Sequence, residues 1–307
     1  MRDGLAGLAD AMAEAASVVD ARARLPFGDD AARRWIEYRP RPRPGVSLAE
    51  LDGAGRKAAY RLLATGLSPS AFAQALAIVA LEEVLDRAEG GRRGRRLDDY
   101  RVAVFGTPGG ADPWSWRFEG HHLSVSMTVV GSTVSPAPVF FGANPARVEH
   151  AGHTVSRPLA PEEDVALALL SAVGPAAVIA PSPPADILSG RSPRVSPLSP
   201  AGVPAAAMPL AARTLLAQLA AVYLARLPEP LASSFEVSSL SFAWAGPVTP
   251  GLPQYYRVQG PGLLIEYDNT GDGNHAHTVL RRPSGDFGED VLARHRAGYH
   301  GGGTPAG

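Results

Sequence analysis

Histidine is the residue type that singles this chain out. Eight are present among 307 residues, and cysteine is absent. Four of the eight fall in two tight groups, the dipeptide His121-His122 and the pair His275 and His277 in a His-x-His spacing. Imidazole is the commonest protein ligand of a metal ion and the side chain that changes charge near neutral pH. On a strand, residues i and i+2 share a face, with Cα atoms ~6.6–7 Å apart. Two imidazoles at that spacing can converge on one ion through bonds of ~2.0–2.1 Å. The pattern points to a mononuclear metal site, with His275 and His277 as two ligands and His122 or His121 as a third. Glu266, on the strand just before, is the natural carboxylate. It could ligate, orient a histidine, or serve as the catalytic base. Asp268 and His295 are further candidates. With no thiolate to favour soft ions, Zn, Cu and Fe all suit a nitrogen and oxygen donor set. The competing reading is structural. A His-x-His pair can be a half-exposed polar face, and EYDNTGDGNHAH can be an acidic turn that solvates itself.

Other chemistry is thinner. Missing cysteine excludes disulfides, thiolate catalysis and Fe–S clusters. The segment 104–110 (VFGTPGG) lacks both a P-loop lysine and the dinucleotide spacing. No G-x-S-x-G elbow occurs. Asp-Asn-Thr-Gly-Asp-Gly (268–273) is half a calcium loop without its closing glutamate. The 29 basic and 30 acidic residues give a net charge of −1, too little basic field for a nucleic-acid partner. No apolar run reaches the ~20 residues of a membrane span. The first residues lack a basic start followed by an apolar run, so a cytoplasmic location and a small-molecule partner are expected.

These side chains need a scaffold, and the sequence sketches one. Residues 1–98 read as a helical part packing on a core over 99–307, the two forming one integrated domain. Ser47 to Glu50 fits a capping box opening a helix through about Ala64. Ser68 opens another, with Ala71, Ala75, Ile78, Leu81 and Leu85 as its apolar stripe. Strand texture begins at 101–106. Residues 116–142 read as a hairpin, with one strand running to about Val130 and a turn at Gly131-Ser132. On it, Leu123, Val125, Met127 and Val129 share one face, and His122, Ser124, Ser126 and Thr128 the other. Helices follow from Pro161 and Pro209. Strands return at 238–246, 254–260, 263–269 and 275–281, and a helix over about 289–298 closes the chain. In the 263–269 strand, Glu266 and Asp268 share a face. His150, His153 and His300 read as surface loop residues. This order predicts an α+β fold, with antiparallel hairpins and flanking helices. WRFEGHHLSVSMT (116–128) also aligns with YRVQGPGLLIEYD (256–268). A duplication would give two half-sheets facing each other across a pseudo-axis.

Five stretches carry a family resemblance: FEGHHLSVSMTVV, FFGANPA, RPLAPEEDVALALL, PADILSG and LLIEYDNTGDGNHAHTVLRRPSGDFGEDVLARHRA. Together, over about Trp114 to Arg296, they resemble a bacterial family catalogued as domain of unknown function 3500. Its recurrent polar elements map onto His121–His122, Glu266–Asp268 and His275–His277. Its closing pattern maps onto Asp286, Gly288, Asp290 and His295, with Val291 and Arg296 departing from it. The resemblance implies no activity. Some members look exported, and this chain does not. The reading that follows is a metal-dependent enzyme, leaning to an oxidoreductase. A metal-dependent hydrolase, a metal-free acid–base enzyme using Glu266 with His122, and a non-catalytic small-ligand-binding module are the alternatives.

Overall fold

The computed structural model describes residues 2–232, 235–249 and 251–300. Its helices are α1 (Arg2–Ser17), α2 (Asp30–Arg33), α3 (Gly53–Gly66), α4 (Pro69–Ala88), α5 (Ala160–Val173), α6 (Leu210–Leu224) and α7 (Glu289–His300). The first six strands are β1 (Arg24–Leu25), β2 (Val46–Ser47), β3 (Arg101–Phe105), β4 (Trp114–Gly120), β5 (Leu123–Val130) and β6 (Thr133–Ser135). There follow β7 (Val139–Ala143), β8 (Val148–His150), β9 (His153–Ser156), β10 (Val178–Ala180) and β11 (Val203–Pro204). The last four are β12 (Ser241–Ala245), β13 (Gln254–Gly260), β14 (Leu263–Thr270) and β15 (His275–Arg281).

The fold is α+β. Its main sheet runs β1-β3-β4-β5-β7-β15-β14-β13-β12-β10, with β2 on β3, β6 on β5 and β11 on β12. Most pairs are antiparallel, but β1 and β10 pair in parallel at the two edges. β1 and β2, from the N-terminal 98 residues, pair with β3 of the core. No helix among the described residues is long and apolar enough to cross a membrane.

Alternation sorts the side chains to two faces. One is apolar: Trp116 and Phe118, Leu123, Val125, Met127 and Val129, Phe141, Leu280, Ile265, Tyr256 and Trp244 are all buried there, in one core with residues of α1, α3, α4, α5 and α6. At Gly66 of α3, a Cβ would lie 2.6 Å from Trp116 Cη2, so only glycine lets that helix seat on the sheet. The Tyr223 hydroxyl of α6 meets Tyr256 of β13 at 2.7 Å, and Tyr256 donates to the Glu162 carbonyl of α5.

The other face is polar yet equally buried, because irregular chain covers it. Arg117 donates to the Ala32 carbonyl, and Glu119 accepts the Glu37 amide at 2.9 Å. Gln259 exchanges hydrogen bonds with both backbone groups of Leu198 at 2.8 Å, and Arg281 reaches the Ser192 carbonyl. Polar and charged side chains of the sheet thus satisfy the backbone of two segments, roughly 30–44 and 183–200, that have few partners of their own.

The strand order of the main sheet repeats in its two halves, as a duplication would give, though α2, α4, β6, β8, β9 and α7 have no counterpart. α1, a 3-10 turn and β1 recur as α5, a 3-10 turn and β10. β2 and β11 are each entered by a glycine, Gly45 at φ +94° and Gly202 at φ +89°. A Cβ on either would sit 2.3 and 2.2 Å from the carbonyl oxygens of Val102 and Phe242. The meander β3-β4-β5 recurs as β12-β13-β14. The halves do not face each other as two sheets. They join edge to edge where β7 pairs β15, so the pseudo-axis crosses one continuous sheet.

Three sequence expectations change. The single strand to Val130 is broken at His121–His122, which form the turn between β4 and β5. Pro261-Gly262 makes the matching turn in the second half. Glu50 does reach back to the Ser47 amide, but the turn it closes is a 3-10 turn, and α3 starts later, capped by Asp52. His150 and His153 are exposed, as expected, but pair with each other in the β8–β9 hairpin. His300 ends α7, and its side chain lies outside the described residues.

Candidate metal centre

Three neighbouring strands and one turn build the site. In the register of the sheet, Asp268 of β14 stands opposite His277 of β15, and His277 stands opposite Gly142 of β7. His122 does not sit on a strand next to His277, since β7 lies between. The turn supplies the reach. His122 has φ +61°, a left-handed conformation costly for a non-glycine residue, where the duplicate has Gly262 at φ +78°. Its amide donates to the Tyr38 carbonyl at 3.0 Å, and its carbonyl accepts from Gly142 at 2.7 Å. Those bonds fold the ring over β7. A Cβ on Gly142 would lie 2.9 Å from His122 Cδ2, so the ring needs glycine beneath it.

His122, His275 and His277 offer ligand atoms all within 4.8 Å of one another. His122 Nε2 and His275 Nε2 are 2.9 Å apart. His277 turns Nδ1 to two carboxylates, Asp186 at 3.0 Å and Asp268 at 3.3 Å, which leaves its Nε2 for an ion. Asp186 also accepts the Tyr38 hydroxyl at 2.7 Å, and the Tyr38 ring stacks on Phe140.

Burial holds His122 well below its usual pKa, helped by the neighbouring His121, His277 and His275. Burial likewise lowers His275 to about 4. Both imidazoles are neutral at pH 7, and in the metal-free chain one Nε2 donates to the other across the 2.9 Å between them. Burial also opposes charge on His277, but the Asp186 and Asp268 carboxylates beside its Nδ1 outweigh this and lift it to about 9. Burial, aided by the nearby Asp186, raises Asp268 to about 6 despite His277. Asp268 is 0% exposed, and neither carboxylate oxygen has a hydrogen-bond donor. Its ion-pair contact with His277 is therefore too poorly aligned to satisfy it. A buried carboxylate in that state is expensive unless a cation balances it; in the metal-free chain that cation is the His277 imidazolium at 3.3 Å, the place a metal ion on the same ring would take over.

The remaining candidates disperse. His121 stacks on His122 with centroids 3.7 Å apart, but its Nδ1 is held by Glu82 and lies 3.3 Å from the Arg95 guanidinium. Glu82, His121 and His122 form a second possible ligand group, which that cation disfavours. Glu266 is on the histidine side of β14, yet its carboxylate accepts the amides of Leu188 at 2.7 Å and Ser189 at 2.9 Å and the Tyr255 hydroxyl at 2.8 Å. It belongs to none of the ligand groups. It anchors the segment that carries Asp186. His295 lines a different cavity, with Arg33 and Arg34. Sequence reasoning missed Asp186, Tyr38 and Gly142. The PADILSG stretch contains Asp186, and a glycine inside the strand FFGA was the signal for Gly142.

A sheet whose polar face gathers three histidines and two carboxylates under irregular covers defines a histidine–carboxylate site on an α+β scaffold. The profile of the family described as "protein of unknown function (DUF3500)" matches residues 5–289, and the chain belongs to that family. The match takes in the N-terminal helices and stops short of Asp290 and His295. No curated protein and no solved structure matches the chain.

Proposed function

We propose that this protein is a metal-dependent enzyme acting on a small molecule, with one divalent ion held by His122, His275 and His277. The observation that carries the reading is Asp268. Its fully buried, undonated carboxylate lies behind His277 beside Asp186. Once an ion replaces the His277 proton, the two carboxylates balance one dication on three neutral imidazoles. Carboxylate bonds to the far nitrogen of a ligating histidine also fix its ring and raise its basicity.

Three imidazoles with carboxylates behind them suit Fe, Cu and Zn alike, and an oxidoreductase, the preferred reaction class, and a hydrolase both fit that donor set. Bound there, the ion would supply Lewis-acid or one-electron chemistry. Among the chain's own residues, Asp186, 41% exposed at its side chain, is the carboxylate a substrate proton could reach, and the buried Tyr38 hydroxyl orients it by donating to it at 2.7 Å. Glu266 keeps the 186–189 backbone in place for this.

A second reading rests on His277 and the carboxylate behind it. Asp268 and His277 form a buried acid–base pair that can work without metal. Loading the purified protein with Fe, Cu or Zn and measuring bound ion separates the two. Retention by the native protein and loss in His275→Ala supports the metal reading. Turnover unaffected by chelators supports the other. Cell fractionation tests the cytoplasmic location.

A further inference from the structure

A second site lies apart from the histidines, where α2, the second covering segment and α7 meet. A cavity of about 480 Å³ opens there. Four arginines line it, Arg33, Arg34, Arg194 and Arg296, against two carboxylates, Asp30 and Glu289. That leaves a surplus of two positive charges, on a chain whose net charge is −1. Asp30 is committed to Arg33. Glu289 lies between Arg34 at 3.0 Å and Arg194 at 2.9 Å, so one carboxylate serves two guanidiniums. Arg296 has no carboxylate partner among the described residues, only the Leu292 carbonyl at 3.2 Å.

The wall is also apolar. Phe27, Pro113 and Leu292 contribute to it, and the Arg33 guanidinium lies 4.5 Å over the Phe27 ring, which fixes that cation. Arg33 in turn donates to the carbonyl of Phe287, held at φ +54° with its amide on Ala137. Away from the Ala151 hairpin turn, His122 and Phe287 are the described non-glycine residues with positive φ. Such conformations persist where the surroundings enforce them, and they cluster at functional sites. One borders the histidines, the other this cavity.

We propose that the cavity binds a small dianion carried on an apolar group, of the aryl or alkyl phosphate class. The volume suits a molecule of that size. Planar guanidiniums pair with phosphate oxygens two at a time, and the surplus charge matches a dianion better than a monocarboxylate. The apolar wall distinguishes such a ligand from free phosphate.

Calorimetric titration with phenyl phosphate, benzoate and inorganic phosphate tests this. Phenyl phosphate should bind most tightly, with an affinity that falls as salt rises. Arg194→Glu and Arg296→Glu change exposed side chains, so the fold should survive, as a thermal melt will check. Each should weaken phenyl phosphate by about tenfold or more. His122→Ala should leave its binding unchanged, which separates this site from the metal centre. No binding by the native protein at millimolar probe, or equal binding by both charge-reversed variants, would overturn the proposal. So would loss of binding in His122→Ala.

Discussion

At the residue scale, the account turns on protonation and on one buried carboxylate. His275 titrates near 4 in the folded chain, below the ~6.5 of an unfolded histidine. The unfolded state therefore takes up the proton first, and metal-free protein should lose stability as pH falls from about 6.5 to about 4. His277 runs the other way. Its folded value of about 9 exceeds the unfolded one, so its contribution is full below ~6.5 and lost as pH rises through 9. Chemical denaturation across pH should show a maximum near neutrality. An ion on Nε2 must displace the His277 proton, so its affinity should rise with pH up to about 9, as competition with a chelator will measure. Asp268→Asn should fold and weaken ion binding by ~10–100-fold, the usual effect of losing a carboxylate behind a ligating histidine. Unchanged affinity would remove Asp268 from the account.

At the element scale, what matters is how a turn, a strand and a loop meet. Gly142→Ala puts a methyl group 2.9 Å from the His122 ring. Overpacking of this kind costs ~1–3 kcal/mol, and moving the ring should also abolish the three-histidine site. The measurement pairs a melt with metal content; a normal melt with normal metal would contradict the geometry. Glu266→Gln should leave the histidines in place but loosen residues 186–189, read as faster amide exchange at Leu188 and Ser189. Alternation within 263–269 and 275–281 was legible in the sequence, and so was the sharing of a face by His275 and His277. The break at His121–His122 was not, because a non-glycine residue occupies a position whose conformation favours glycine. The duplicate offered a clue: Pro261-Gly262 at the aligned positions is an ordinary turn. Asp186 and Tyr38 come from irregular segments without periodicity, so only the folded chain brings them to His277.

At the scale of the whole molecule, the asymmetric site straddles the junction of two similar half-sheets. Each half contributes a helix-covered apolar face and a polar face capped by loop. One half supplies His122 and Gly142, the other His275, His277, Asp268 and Asp186. Neither half holds the site alone. The junction is the β7–β15 ladder, and a separated half would expose that edge and its apolar side chains. The full chain should therefore unfold in one cooperative transition, with tryptophan fluorescence and far-UV circular dichroism coinciding. Two separated transitions would show independent halves. The α+β class could be read from the order of segments. The edge-to-edge joining could not, since pairing between distant strands leaves no local mark.

The most direct test of the central claim is the metal content of the native chain after exposure to excess Fe, Cu and Zn and removal of free ion. The account predicts one tightly held ion per chain, lost when His122 and His275 are both changed to alanine, and a melting temperature that rises with ion concentration because the ion binds the folded state. No ion taken up from any of the three, or an ion retained equally by the double variant, would contradict it.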